Sequence, residues 1–278
     1  MKASHHRSVL TAGSTGTNAV AATSHVAHGV PWMDFAWPLA GTIVMIALAS
    51  AGNAAWEIIL RPLFPGSDRL VYEQASLAVL LWQHIQLVLI SSAMATVIGV
   101  GAGVAVTRPW GAAFNNVATD LANVAQTFPP LAVFALAIPL LGFGFGPAIL
   151  ALTIYGILPV LHNTIAGLET LPSDVLDSGR GLGLTPMQSL WRVELPLASP
   201  VIIAGVRISV VVNVATATVA AAAAAGGLGL PIISGLNSDN PAITLQGASM
   251  ATLLALTLDG YLGAMGRWLG TRAGLASK

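Results

Sequence analysis

The chain has 278 residues, 55% of them hydrophobic and 8% charged, with basic and acidic side chains in equal number and no cysteine. So little charge excludes an ordinary soluble domain, where roughly a quarter of residues are charged. The zero net charge excludes nucleic-acid binding through bulk attraction, and the missing thiols exclude disulfide and thiolate chemistry. Apolar runs near the roughly 20 residues that cross a bilayer as a helix recur along the chain, and the alternating pattern of a membrane barrel is absent. The fold class read from this is all-α, a polytopic membrane helical bundle of about six transmembrane helices.

Residues 1–34 are rich in Ser, Thr, Ala and Gly and too poor in apolar side chains to offset the entropy of folding, so a disordered tail is expected there. His5, His6, His25 and His28 have no i, i+4 spacing and no acidic or thiol companion, and no metal site is assigned to them. The first span is expected from about Pro38 to Ala55, with Trp37 and Trp56 at the two interfaces. Ala47-Leu48-Ala49-Ser50 resembles a signal-peptide cleavage site, but Lys2 and Arg7 lie far upstream of the apolar run, so the segment is read as retained. Arg61 to Glu73, with Pro62, Pro65 and Gly66, reads as a loop.

Further spans are expected at Leu87–Thr107, Val117–Leu141, Ala148–Leu168, Pro200–Ala225 and Ile243–Met265. The third carries Pro129, Pro130 and Pro139. Such breaks are tolerated in a membrane where neighbouring helices or a water-lined cavity satisfy the backbone, which fits a pore-lining helix and a kinked packing helix equally. Gly142 to Pro147 is a tight reversal, and its GxGxxG flavour lacks the βαβ context of a nucleotide site. An even number of spans puts both termini on one side. Lys2, Arg7, Arg108, Arg180, Arg192, Arg267, Arg272 and Lys278 then face the cytoplasm, leaving Arg61 and Arg69 outside. Gly226 to Gly229 and Asn237 to Asn240 fall in the outer loop.

The polar stretch from Glu169 to Ser199 is therefore a cytoplasmic loop, and its punctuation predicts two short helices. Pro172 suits a first helical turn, Val175, Leu176, Gly179 and Leu182 share a face, and Gly183 can close the helix. Thr185-Pro186-Met187-Gln188 is a capping-box pattern that opens a second helix, with Met187, Leu190 and Trp191 on one side and Pro196 at its end. Periodicity alone fits a loop lying on the membrane as well as a docking element. A DNA-binding helix-turn-helix is disfavoured by having only Arg180 and Arg192 to meet phosphates.

The spacing Asp177-Ser178-Gly179, three residues, Gly183, nine residues, Val193, one residue, Leu195-Pro196 resembles the EAA loop of binding-protein-dependent ABC importer inner-membrane permeases. Asp177 stands for that motif's Glu, Ser178 and Gly179 for its two alanines, and Val193 for its Ile. Gln126-Thr127-Phe128-Pro129, Leu158 to Thr164, Gly205 to Ser209 and Ala225 to Gly229 are similar to the osmoprotectant branch, which handles glycine betaine, choline and carnitine. The resemblance covers about residues 80–265, within a permease domain of 35–278. Methionine-type permeases share the glycine-rich stretch.

That resemblance implies a bacterial inner-membrane protein with both termini cytoplasmic. Its partners would be a P-loop ATPase docked on Asp177, Ser178, Gly179, Gly183, Leu184, Val193, Leu195 and Pro196, a second permease copy or paralogue, and an external substrate-binding protein. No cofactor is implied. The chain holds no GK[ST] phosphate loop of its own, since its only lysines are Lys2 and Lys278.

The last two expected spans each hold one charged residue, where a charge costs about 2.5 to 3.5 kcal/mol on insertion scales. Arg207 follows Pro200 and Asp259 precedes Arg267 by about two turns, so both lie roughly 10 to 12 Å from the cytoplasmic end. Equal depth allows an Arg207 to Asp259 ion pair, with separate snorkelling as the alternative. Tyr155 and the phenylalanines are read as bundle packing, not as a cage for a quaternary ammonium. Of other classes, a secondary transporter has Asp259 alone for ion coupling, and His162 with Glu169 or Asp174 has no enzyme-like metal spacing.

Overall fold

The computed structural model describes residues 33–272, so the expected tail, apart from Met33 and Asp34, lies outside the described residues. Within them every regular element is helical. The first, α1 (Ala36–Ser50), stops sooner than expected because Gly52 takes a φ of +71°, and α2 (Gly52–Leu60) continues from the resulting turn. Trp56 is therefore no interfacial marker on a straight span: it is buried, and its indole Nε1 donates to the Leu48 carbonyl at 3.0 Å. That carbonyl is one of the acceptors a helix end leaves open, and a buried indole needs one.

Helix α3 (Leu77–Val106) begins well before the expected Leu87, with Ser76 as its N-cap. The polar run Gln83-His84 disguised its first turns, yet His84 is buried between partners. Its Nε2 meets the Val214 carbonyl at 3.1 Å and its Nδ1 the Leu228 amide at 3.3 Å, while Gln83 accepts from the Gly227 amide at 3.0 Å. The expected third span is two helices, α4 (Asn115–Thr127) and α5 (Pro130–Leu141), bent by 94°. Phe128 and Pro129 are extended between them, as residues preceding proline prefer. The pair still traverses the bundle: Asn115 at its start donates to Glu169 at 3.2 Å, and the Gly144 amide beyond its end donates to Ala223 at 2.9 Å.

Three long helices, α3, α6 (Phe145–Glu169) and α9 (Leu195–Ala220), form the centre, with α7 (Ser173–Gly181) and α8 (Pro186–Ser189) in the connection between the last two. Gly205 of α9 lies so close to the Pro159 carbonyl that a Cβ there would come within 2.6 Å of it; small residues set such close crossings in membranes. The outer connection is more structured than a plain loop, because α10 (Gly229–Asn237) occupies it before α11 (Pro241–Arg272) returns along α9. Helix α1 packs along α11, where Asp34 meets Arg267 at 3.2 Å and Thr42 meets Tyr261 at 3.0 Å.

Among the described residues five helices are long and apolar enough to cross a membrane, six with the bent pair. Crossings alternate through α1, α3, α4 with α5, α6, α9 and α11, so both ends of the described chain lie at the α7–α8 end of the bundle. Large apolar side chains such as Ile43, Val97, Leu136 and Leu140 face outward, the reverse of a water-soluble helical domain and the arrangement a lipid surround stabilises.

Candidate functional site

The loop from 170 to 194 stands on α6 and α9. Helix α7 ends in a Schellman motif: the Leu184 amide donates to Gly179 at 3.2 Å, the Gly183 amide to Arg180 at 2.9 Å, and Gly183 sits at φ +75°. Nothing would touch a Cβ on Gly183. Its requirement is backbone handedness, which other residues adopt at a cost. Gly179 is less constrained, since a Cβ there would meet Leu184 Cδ1 at an ordinary 3.6 Å; the alanine of the EAA pattern fits this position.

Thr185 and Gln188 form the reciprocal capping box that opens α8, with bonds of 3.3 and 2.9 Å. Beyond this box the chain departs from expectation. Pro196 does not end the second helix: α8 passes through a π-helical segment, Leu190–Glu194, directly into α9, where Pro196 occupies the first turn. The Leu195 amide reaches back to the Leu190 carbonyl. A proline ring in a continuous α-helix clashes with the carbonyl four residues earlier and leaves an acceptor open; the wider π turn relieves both.

Leu182, expected on the packed face, is the C-cap and stands 82% exposed, with Met187 and Trp191 at 62% and 66%. Three large apolar side chains thus face outward at the loop's tip. Asp177, Ser178, Gly183 and Pro196 are also exposed, Leu184, Val193 and Leu195 are half-buried, and Gly179 is buried. Asp177 pairs with its neighbour Arg180 at 3.1 Å across open surface, a contact of little energetic weight.

Beneath the loop a cavity of about 480 Å³ is lined by Arg108, Leu168, Leu176, Leu184 and Glu194 among others. The charged pair in its wall, Arg108 and Glu194, was not foreseen. Arg108 Nη2 donates to Glu194 Oε2 at 2.6 Å, with the side chains 20% and 12% exposed. Each looks ordinary in sequence, one as a positive-inside charge and the other as the variable position before Leu195-Pro196; only the fold brings them together.

At the part-exposed seam between α9 and α11, Arg207 meets Asp259 through both carboxylate oxygens, from Nε and Nη2. A planar guanidinium and a carboxylate match in this way bidentately. Arg267 lies beside Arg207 across Gly263 and pairs in turn with Asp34, so two acids answer two arginines. Deeper, Asn213 donates to Ser91 and Ser92 at 3.3 and 2.9 Å, tying α9 to α3. Tyr155 is buried and donates to the Phe128 carbonyl. No cluster of three metal-ligating side chains occurs among the described residues.

Comparison with known proteins accounts for this arrangement. The chain is 41% identical to the choline transport system permease protein OpuBB of Bacillus subtilis over 70% of its own length and 88% of that protein. It is 37% identical to the osmoprotectant import permease protein OsmY of Salmonella typhimurium, over 73% of its length and 86% of that protein's. An inward-facing structure of the MetNI methionine ABC transporter superposes with a TM-score of 0.62 at 23% identity, covering 69% of this chain and 95% of that one; this shows the shared type I permease fold. Residues 95–271 match the family described as binding-protein-dependent transport system inner membrane component. The loop, the bundle that carries it and these matches agree, and the chain belongs to that family of membrane permease components.

Proposed function

We propose that this chain is the permease subunit of an ATP-driven importer for quaternary-ammonium osmoprotectants of the glycine betaine, choline and carnitine kind. The observation that carries the reading is the two-helix loop with EAA spacing, whose Leu182, Met187 and Trp191 lie exposed on an element joined directly to two membrane helices. Exposed apolar side chains clustered on a small projection suit a protein partner, and the partner that fits is a separate P-loop ATPase on the cytoplasmic side of the bacterial inner membrane. Relatives named for choline and osmoprotectant transport support the substrate class.

The exposed apolar flank of α4 and α5, including Leu121, Val124 and Leu131, supports pairing with a second permease subunit, and an external binding protein would deliver cargo at the α10 end. With both ends of the described residues on the α7–α8 side, the basic residues of that side support cytoplasmic termini under the positive-inside rule. Closure of the ATPase dimer would move the loop, and through it α6 and α9, as rigid elements that switch access to the pathway.

The test is uptake of radiolabelled glycine betaine, choline and carnitine into proteoliposomes containing the assembled complex. Uptake that requires ATP and the binding protein is the expected result. Uptake driven by an ion gradient without the ATPase would overturn the proposal, and ATP-driven uptake of methionine in place of all three would overturn its substrate class.

A further inference from the structure

We propose that the Arg108 to Glu194 pair is a positioning contact that fixes the π segment to the end of α3, so that movement of the loop reaches the bundle instead of being absorbed at Leu190–Glu194. The inference rests on the importer reading above.

The π segment is the only part of the loop's second leg between the capping box and α9. Its wide turn interrupts the regular ladder of an α-helix, and helices kink at such turns. A hinge there would be a poor transmitter: α7 and α8 could swing over the cavity beneath them while α9 stayed still. Glu194 is the last residue of the segment, and its carboxylate is held from outside the loop, by Arg108 in the turn just past α3.

The anchor on the other side is itself firm. Arg108 begins a tight reversal in which the Gly111 and Ala112 amides both donate to its carbonyl at 2.9 Å. Gly111 then packs so closely on the Ala105 carbonyl of α3 that no side chain could fit. Among the described residues the Arg108 side chain has Glu194 as its one hydrogen-bond partner, through Nη2, while its Nε is buried with no acceptor. Further along, α3 and α9 are joined again by Asn213 with Ser91 and Ser92 and by His84 with Val214. With the ion pair closed, the π segment becomes the end of a braced α3 and α9 unit. With it open, α9 remains braced and the segment alone is free.

A mostly buried charge pair is weak evidence of stabilisation, and the placement of this one, at the end of the π segment, is that of a joint. Glu194→Gln and Arg108→Gln should each raise the ATP consumed per glycine betaine imported roughly two- to thirtyfold, the range to which the 0.5 to 2 kcal/mol of coupling mutations converts. The amount of permease in the membrane and of ATPase purified with it should match the unmodified complex. Because the chain has no cysteine, a second arm replaces both residues, Arg108→Cys with Glu194→Cys, and joins them with a short bis-methanethiosulfonate linker. The linker should restore coupling, and reducing it should abolish the restoration.

A wild-type ratio in both glutamine variants would overturn the proposal, as would a cysteine pair whose coupling the linker leaves unchanged. If the charge variants fail to assemble, the linked pair decides alone, and assembly lost in it without repair by the linker counts against a positioning role. Absence of ATP-driven uptake in the unmodified complex takes down the importer reading itself, and is seen before any variant is made.

Discussion

At the scale of single residues, the intramembrane charges show what kind of stabilisation this chain relies on. Arg207 and Asp259 are each unfavourable in a bilayer alone, yet face one another from α9 and α11 with both carboxylate oxygens engaged. Removing one partner leaves a charge whose insertion costs about 2.5 to 3.5 kcal/mol, so Arg207→Ala and Asp259→Ala should lower both membrane yield and uptake. The exchange Arg207→Asp with Asp259→Arg should recover a substantial part of the uptake lost in the single variants, measured per permease in the membrane. Recovery of none would show that the pairing itself does not matter. The two positions were legible in sequence because equal depth on neighbouring spans comes from counting turns. Arg267 with Asp34 was not, since Asp34 precedes the first helix and only the packing of α1 along α11 brings the two together.

At the scale of elements, local chemistry was readable wherever the signal was local. The capping box at Thr185 and Gln188 and the left-handed Gly183 reflect residue types at fixed offsets, and α6 ends within a residue of the expected Leu168, whereas α11 runs on past the expected Met265 to Arg272. Misreadings arose where a distant partner decided the outcome. Gln83 and His84 look too polar for a span, but the amides of Gly227 and Leu228 and the Val214 carbonyl satisfy them. Pro196 looks like a stop, but a π turn carries the helix through it. Leu182 fits the apolar face by periodicity and is exposed because the helix has already ended at Gly181. For Gly183 the requirement is conformational and not steric, and forcing an L-residue into the left-handed region costs roughly 1 to 2 kcal/mol, more when β-branched. Gly183→Val should therefore leave the permease in the membrane at near-normal amount while reducing the ATPase that copurifies with it several-fold, whereas Gly179→Ala should be tolerated. Equal copurification in the two variants would show that the turn does not govern docking.

For the whole molecule, the alternation of six crossings makes a topological prediction that needs no transport assay. Single cysteines introduced into this cysteine-free chain, Ser67→Cys in the 61–76 loop and Ser173→Cys at the start of α7, should differ in reach. A membrane-impermeant maleimide added to intact cells or right-side-out vesicles should label the first and not the second, and permeabilisation should expose both. Labelling of Ser173→Cys without permeabilisation would reverse the assigned orientation. The π segment also has a consequence for the direction in which the molecule presents itself. A π turn closes with one more residue than an α turn, so losing one residue between Leu190 and Glu194 would restore an ordinary α turn and leave the arm bearing Leu182, Met187 and Trp191 near its present bearing around α9. The wide turn thus takes up one residue without swinging that apolar face around the bundle, and the bearing survives where the hydrogen-bond spacing does not.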